Sequence, residues 1–262
     1  MARAQRRPQS LNPEHRSSAD AREIGKFAAL AQEWWNPDGS FAPLHALNPL
    51  RLAFIRRVAA ARLDRDEHLL APFKKLSLID IGCGGGLLAE PLARQGFDVL
   101  GIDAAAEAIA AAETHARNSE KPPLYRCARA EDIVPKKRRF DVVLAMEILE
   151  HVADRESFLK SCTALLKPGG LLFVATIART LKALALAKFG AEYLLRWIPP
   201  GTHDWEKFVS PRELSGEIEA VGLSVLETAG VSFDALAWRW QLSSDTDVNY
   251  MLVAEKSRKR TA

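Results

Sequence analysis

The sequence is short of the residues that build special chemistry on their own. Its 262 residues include only 3 cysteines, with 15 glycines and 14 prolines. Three cysteines cannot all pair, and Cys83, Cys127 and Cys162 lack metal-type spacing. A disulfide framework is therefore excluded, and a reducing compartment is the simplest setting. Glycine at this level also excludes a collagen-like chain. An excess of one charge is missing too, because 36 Lys and Arg face 33 Asp and Glu, for a formal net charge of +3. That balance gives no argument for a nucleic-acid partner. Residues 1–20 carry Arg3, Arg6, Arg7 and Arg16 but no apolar run, so they read as a disordered terminus rather than a secretory signal. What is present is 48% hydrophobic and 26% charged, enough apolar material for a sizeable core.

Hydrophobic patterning divides the chain. Across 21–70, Ile24, Phe27, Ala28, Ala31, Trp34 and Trp35 recur at helical spacing until Pro37-Asp38-Gly39 breaks the pattern. A second helix is predicted after an Asn48-Pro49 turn, with Leu50, Phe54, Ile55 and Val58 on one stripe. From residue 76 short apolar runs alternate with helices. Leu76–Ile81, Asp98–Ile102, Leu124–Cys127, Phe140–Ala145 and Leu171–Ile177 are predicted strands, and 87–95, 104–118, 147–150 and 154–166 predicted helices. Such alternation implies a parallel sheet covered on both faces. The tail adds a helix at Pro211–Val221 and β-like runs at Leu223–Thr228 and Asn249–Glu255.

Asp80-Ile81-Gly82-Cys83-Gly84-Gly85-Gly86 places a glycine cluster between a buried strand and a helix. Glycine allows a tight turn and lets a ligand approach main-chain N–H groups. Asp103 closes the next apolar strand, where a carboxylate can accept hydrogen bonds from both ribose hydroxyls of a nucleoside. The dinucleotide pattern G-x-G-x-x-G needs glycine at 87, where this chain has Leu87. What stands here is D-x-G-x-G-x-G, which resembles the first motif of class I S-adenosylmethionine-dependent methyltransferases. Asp103, Phe140-Asp141-Val142-Val143 and Leu166-Lys167-Pro168-Gly169-Gly170 follow in that family's order. One departure is Arg129, which stands after strand three where an adenine-binding acid is common, leaving Ala130–Asp132 to meet the base.

Met146-Glu147-Ile148-Leu149-Glu150-His151 follows strand four, at the carboxyl edge where α/β ligands bind. On a helix of about 100° per residue, Glu147, Glu150 and His151 share a sector of about 100°. Two carboxylates and an imidazole suit a divalent cation, Mg²⁺ by oxygen or Zn²⁺ by nitrogen. His151 is equally a candidate general base, since imidazole titrates near neutrality. The residues alone do not separate ligand from base, nor either from a solvated helix start.

Narrower motifs extend the resemblance. Trp34-Trp35-Asn36-Pro37-Asp38-Gly39, Pro43-Leu44-His45, Asn48-Pro49-Leu50-Arg51-Leu52, Met146 through His151, Gly201-Thr202-His203-Asp204-Trp205 and Asp247-Val248-Asn249-Tyr250-Met251-Leu252 look like the ubiquinone-biosynthesis O-methyltransferases. The resemblance implies an α/β, Rossmann-like sheet, mostly parallel with its last strand antiparallel. An N-terminal helical cap and a helical insertion after strand five complete that fold. It implies one domain over 21–255: cap 21–70, donor-binding core 76–178, insertion 179–209, and C-terminal helix and strands 210–255, before a basic tail at 256–262. It also implies S-adenosyl-L-methionine as methyl donor, held by Arg51, Gly82, Asp103 and Met146. A divalent cation would sit on Glu147, Glu150 and His151. The implied acceptors are 2-polyprenyl-6-hydroxyphenol and 3-demethylubiquinol. The alternatives are another small phenol, or a lipid-binding assembly protein without turnover.

Residues 181–198 form a second unusual segment. Lys182, Lys188, Glu192 and Arg196 fall within about 120° of a helical wheel, and the remaining arc is almost wholly apolar. Those charges argue against a span and for an interfacial helix on an anionic membrane surface, unless the helix packs on the enzyme's own core. The expected location is cytoplasmic, peripheral to the inner membrane, or the matrix face if mitochondrial. Other ubiquinone-biosynthesis proteins are possible partners by the same resemblance.

Overall fold

The computed structural model describes residues 24–25, 28–180, 207–234 and 239–258. The predicted interfacial helix at 181–198, His203, Asp204 and most of the basic tail lie outside the described residues. Eight strands form one sheet in the order β3-β2-β1-β4-β5-β8-β6-β7. The parallel half consists of β1 (Ser77–Ile81), β2 (Asp98–Asp103), β3 (Leu124–Cys127), β4 (Phe140–Met146) and β5 (Leu166–Ile177). β6 (Leu223–Asp234), β7 (Arg239–Ser243) and β8 (Asn249–Lys256) complete it, with β8 antiparallel to both β5 and β6. The predicted antiparallel last strand is therefore found, inserted beside β5.

Strand alternation explains why both faces are covered. Leu78, Val142, Leu144, Leu171 and Phe173 point to one face, and Ile79, Val143, Ala145, Leu172 and Val174 to the other. Neither set can face water, so helices pack on each side. The first face receives α1 (Ala42–Arg62), α2 (Ala89–Arg94) and α3 (Ala106–Ala116). The second receives α4 (Ala130–Ile133), α5 (Arg155–Leu165) and α6 (Pro211–Ala220). Capping fixes the starts of the last two helices. Asp154 accepts from the Ser157 amide at 3.0 Å, and Ser210 forms a reciprocal capping box with Glu213.

Three expectations require correction. The Asn48-Pro49 pair is no turn, because α1 begins at Ala42 and carries Pro49 inside it. The strand β7 was not read from the sequence. The predicted helix at 147–150 is absent: β4 runs to Met146, Glu147 takes a left-handed backbone (φ +56°), and a single 3₁₀ turn covers Leu149–His151. No helix among the described residues is long and apolar enough to cross a membrane.

Candidate active site

The first turn of the site follows from backbone sterics. Gly82, Gly84 and Gly86 have φ of +73°, +52° and +89°, where a Cβ is strained. A Cβ on Gly84 would also lie 2.2 Å from the Trp34 ring, and one on Gly82 2.5 Å from Ile148. The amides of Gly82 and Cys83 both donate to the Ile102 carbonyl, at 2.8 and 3.0 Å, which ties the turn to β2. Asp103 at the end of β2 completes the tie. Its carboxylate accepts from the Gly84 amide at 3.0 Å and the Ala105 amide at 2.8 Å. Burial raises the Asp103 pKa, while the backbone donors oppose the shift. Each of its oxygens retains acceptor capacity for a ligand hydroxyl.

The N-terminal segment presses on this turn. Trp35 donates its indole N–H to the Gly85 carbonyl at 2.8 Å and stacks on His115 at 3.4 Å. His115 in turn meets the buried Glu90 at 2.8 Å. Trp34 stacks on Phe41 at 3.8 Å, and its own indole N–H is buried without a hydrogen-bond partner. His45 Nε2 lies 2.9 Å from the Trp34 carbonyl, which can only accept, so that nitrogen carries a proton. Asn48 donates to the Leu87 carbonyl at 2.8 Å. Both tryptophans are thus packed on the glycine turn.

Arg51 reaches the opposite side of the turn from α1. Only 4% exposed, it donates from Nη2 to Glu147 Oε1 at 2.8 Å. Met146, at the end of β4, lies on the same sheet face as α1. Asp80, at position one of the glycine motif, was not assigned a role from sequence, yet it is 3% exposed on this face. Burial and the Asp103 charge push its pKa up to about 7, with the Arg51 charge opposing. The signal that pointed to it was the leading aspartate of D-x-G-x-G-x-G.

Glu147, Glu150 and His151 do not share a helical face. Glu147 faces Arg51, whereas Glu150 is buried and accepts from Thr176 Oγ1 at 2.7 Å. Burial and the Glu147 charge push Glu150 up to about 7, and the His151 charge opposes the shift. Among the described residues no three His, Cys, Asp or Glu side chains are grouped to hold a metal ion. The left-handed backbone at Glu147 breaks the spacing on which the cation expectation rested. As arranged, these residues do not fit the divalent cation. After β3, Arg129 bonds to Asp132, and Glu131 keeps both carboxylate oxygens buried without a hydrogen-bond partner.

Comparison with known proteins agrees with this architecture. A family model described as a methyltransferase domain matches residues 52–228. A Caulobacter vibrioides protein named ubiquinone biosynthesis O-methyltransferase is 54% identical over 240 residues, covering 91% of this chain and 95% of that protein. Among solved structures, a magnesium protoporphyrin IX methyltransferase from Synechocystis with bound SAH superposes with a TM-score of 0.55 at 18% identity, covering 79% of this chain and 84% of its own. An S-adenosylmethionine-dependent methyltransferase from Clostridium acetobutylicum gives 0.60 at 12% identity, covering 89% of this chain and 98% of its own. At these identities the structural likeness speaks for the fold alone. With more than half its sequence shared over nearly the whole length of that Caulobacter relative, the chain belongs to the ubiquinone biosynthesis O-methyltransferases, S-adenosylmethionine-dependent enzymes of the class I fold.

Proposed function

We propose that this chain methylates a ring hydroxyl of polyprenylated catechols and quinols, namely 2-polyprenyl-6-hydroxyphenol and 3-demethylubiquinol. The observation that carries the reading is the Asp103 carboxylate braced on the Gly84 amide of the glycine turn, with the buried Arg51–Glu147 pair at the end of β4. The polar groups fit S-adenosylmethionine by chemistry. Arg51 suits its carboxylate, Asp103 its ribose hydroxyls, and the acidic Asp80 its net positive end. Met146 would close the apolar side of that site.

When bound, S-adenosylmethionine supplies an electrophilic methyl group, and its transfer leaves a neutral thioether. The chain's task is to align an acceptor oxygen with that methyl and to take the hydroxyl proton. His151 is the general base in this reading: half-buried, it closes the 3₁₀ turn Leu149–His151 that follows β4. The imidazole would take the hydroxyl proton as the acceptor oxygen meets the donor's methyl group. Glu150, beside His151 in sequence, is buried and bonded to Thr176. No step is assigned to a metal ion.

The acceptor's isoprenoid chain favours a lipid surface. Residues 181–198 carry a basic stripe beside an apolar arc, which suits anionic membrane. Leu184→Glu should lower co-sedimentation with anionic liposomes at unchanged donor affinity; unchanged sedimentation rejects this part. The catalytic reading is tested with a short-chain prenyl catechol and labelled methyl donor. Methylated product is expected, and absence of product with donor binding intact overturns the acceptor assignment.

A further inference from the structure

We infer that Glu147 is a positioning residue for Arg51, holding the guanidinium ready for the methyl donor's carboxylate. This rests on the reading that Arg51 meets the donor. Two independent features of the structure lead to it. The first is an incomplete ion pair. A guanidinium has five N–H donors, and a buried one is costly unless its donors are used. Arg51 is 4% exposed, and its hydrogen bond among the described residues is the one from Nη2 to Glu147. The pair joins α1 to the end of β4 across 96 residues of sequence, and leaves the rest of the fork for another anion.

The second feature is the backbone of Glu147. A non-glycine residue at φ +56° crowds its Cβ against the backbone, a conformation that side chains rarely adopt. Its amide is fixed to the Ala175 carbonyl at 2.8 Å, so β5 holds the strained residue in place. That conformation turns the chain sharply out of β4 and carries the carboxylate toward α1. In a regular helical continuation Glu147 would have joined Glu150 and His151 instead. Strain held at a ligand-binding edge is the usual mark of a site whose geometry matters more than its local stability. A cation on Glu147 would have to compete with the guanidinium for the same oxygen.

The experiment measures S-adenosylmethionine affinity by calorimetry, with chelator present, for the wild type, Glu147→Gly, Glu147→Gln, Arg51→Ala and the double variant Arg51→Ala/Glu147→Gly. Glycine accepts the left-handed backbone, so Glu147→Gly should stay folded by circular dichroism, with a lower melting temperature from the unpaired Arg51, and bind the donor about tenfold more weakly. Glutamine retains an acceptor oxygen and should recover part of that loss. The double variant should bind no more weakly than Arg51→Ala, because the glutamate acts through the arginine. Wild-type affinity in both Glu147 variants, with Arg51→Ala weakened, overturns the inference and spares the Arg51 reading. Wild-type affinity in Arg51→Ala overturns that reading as well. Donor affinity of the wild type that falls on chelation would show that a cation holds Glu147, and would also overturn the inference.

Discussion

At the scale of single residues, the site is built from groups held in costly states. Asp80 and Glu150 are carboxyl groups pushed up to about 7, mainly by burial. The folded protein therefore holds protons that the unfolded chain releases near pH 4, so these groups favour folding at low pH and lose that contribution as pH rises toward 7. Asp80→Asn should flatten the fall in melting temperature between about pH 4 and 7, measured by thermal scans across that range. A slope identical to wild type would show that Asp80 is ionised throughout. Tyr125 offers the opposite test. Its hydroxyl is buried without a hydrogen-bond partner among the described residues, and a Cβ on Gly86 would lie 2.2 Å from it. Tyr125→Phe removes a polar group that gains nothing, so stability should hold or rise by about 1 kcal/mol in denaturant titration. A loss of similar size would mean that the hydroxyl has a partner. The leading aspartate, the glycines and Asp103 were legible because motif and backbone need coincide there. The left-handed Glu147 was not, since no residue type marks a non-glycine at positive φ.

At the scale of elements, the cap is the part that departs most from sequence expectation. Proline usually ends a helix, so Asn48-Pro49 read as a turn; α1 instead carries Pro49 on an exposed position and gains from burying Phe54, Ile55 and Val58. Arg57 fastens the same helix to Glu227 of β6 with two hydrogen bonds. The Trp34–Trp35 segment then joins cap to core. Trp35→Ala deletes both the bond to Gly85 and the stack on His115, and should cost about 2 kcal/mol of stability while weakening donor binding. Trp35→Phe should restore part of the stability. Equal melting temperatures for wild type and alanine variant would detach the cap from the stability of the turn. β7 escaped notice for a different reason. It is a five-residue edge strand, Arg-Trp-Gln-Leu-Ser, and none of its residues is fully buried. Central strands declare themselves by two buried faces, and an edge strand with neither gives no such pattern.

At the scale of the whole molecule, one sheet carries Asp103 at the end of β2 and Glu147 just past the end of β4. The alternation of Leu78 with Ile79, and of Val142 with Val143, made the doubly covered sheet legible, because each strand had to bury both sides. The convergence of Arg51 with Glu147 was not legible, since it depends on how a cap helix lies over a strand end 96 residues away. That convergence and the brace between Asp103 and Gly84 support the donor side of the proposed site, and His151, in the turn beyond β4, is its proposed base. Methyl transfer from S-adenosylmethionine to a short-chain prenyl catechol, in purified wild type and His151→Ala, tests this division of labour most directly. Methylated catechol should form with the wild type and fall by about 10²–10⁴ in kcat for His151→Ala at unchanged donor affinity. No methylated product from a wild type that binds the donor, or an undiminished rate in His151→Ala, would contradict it.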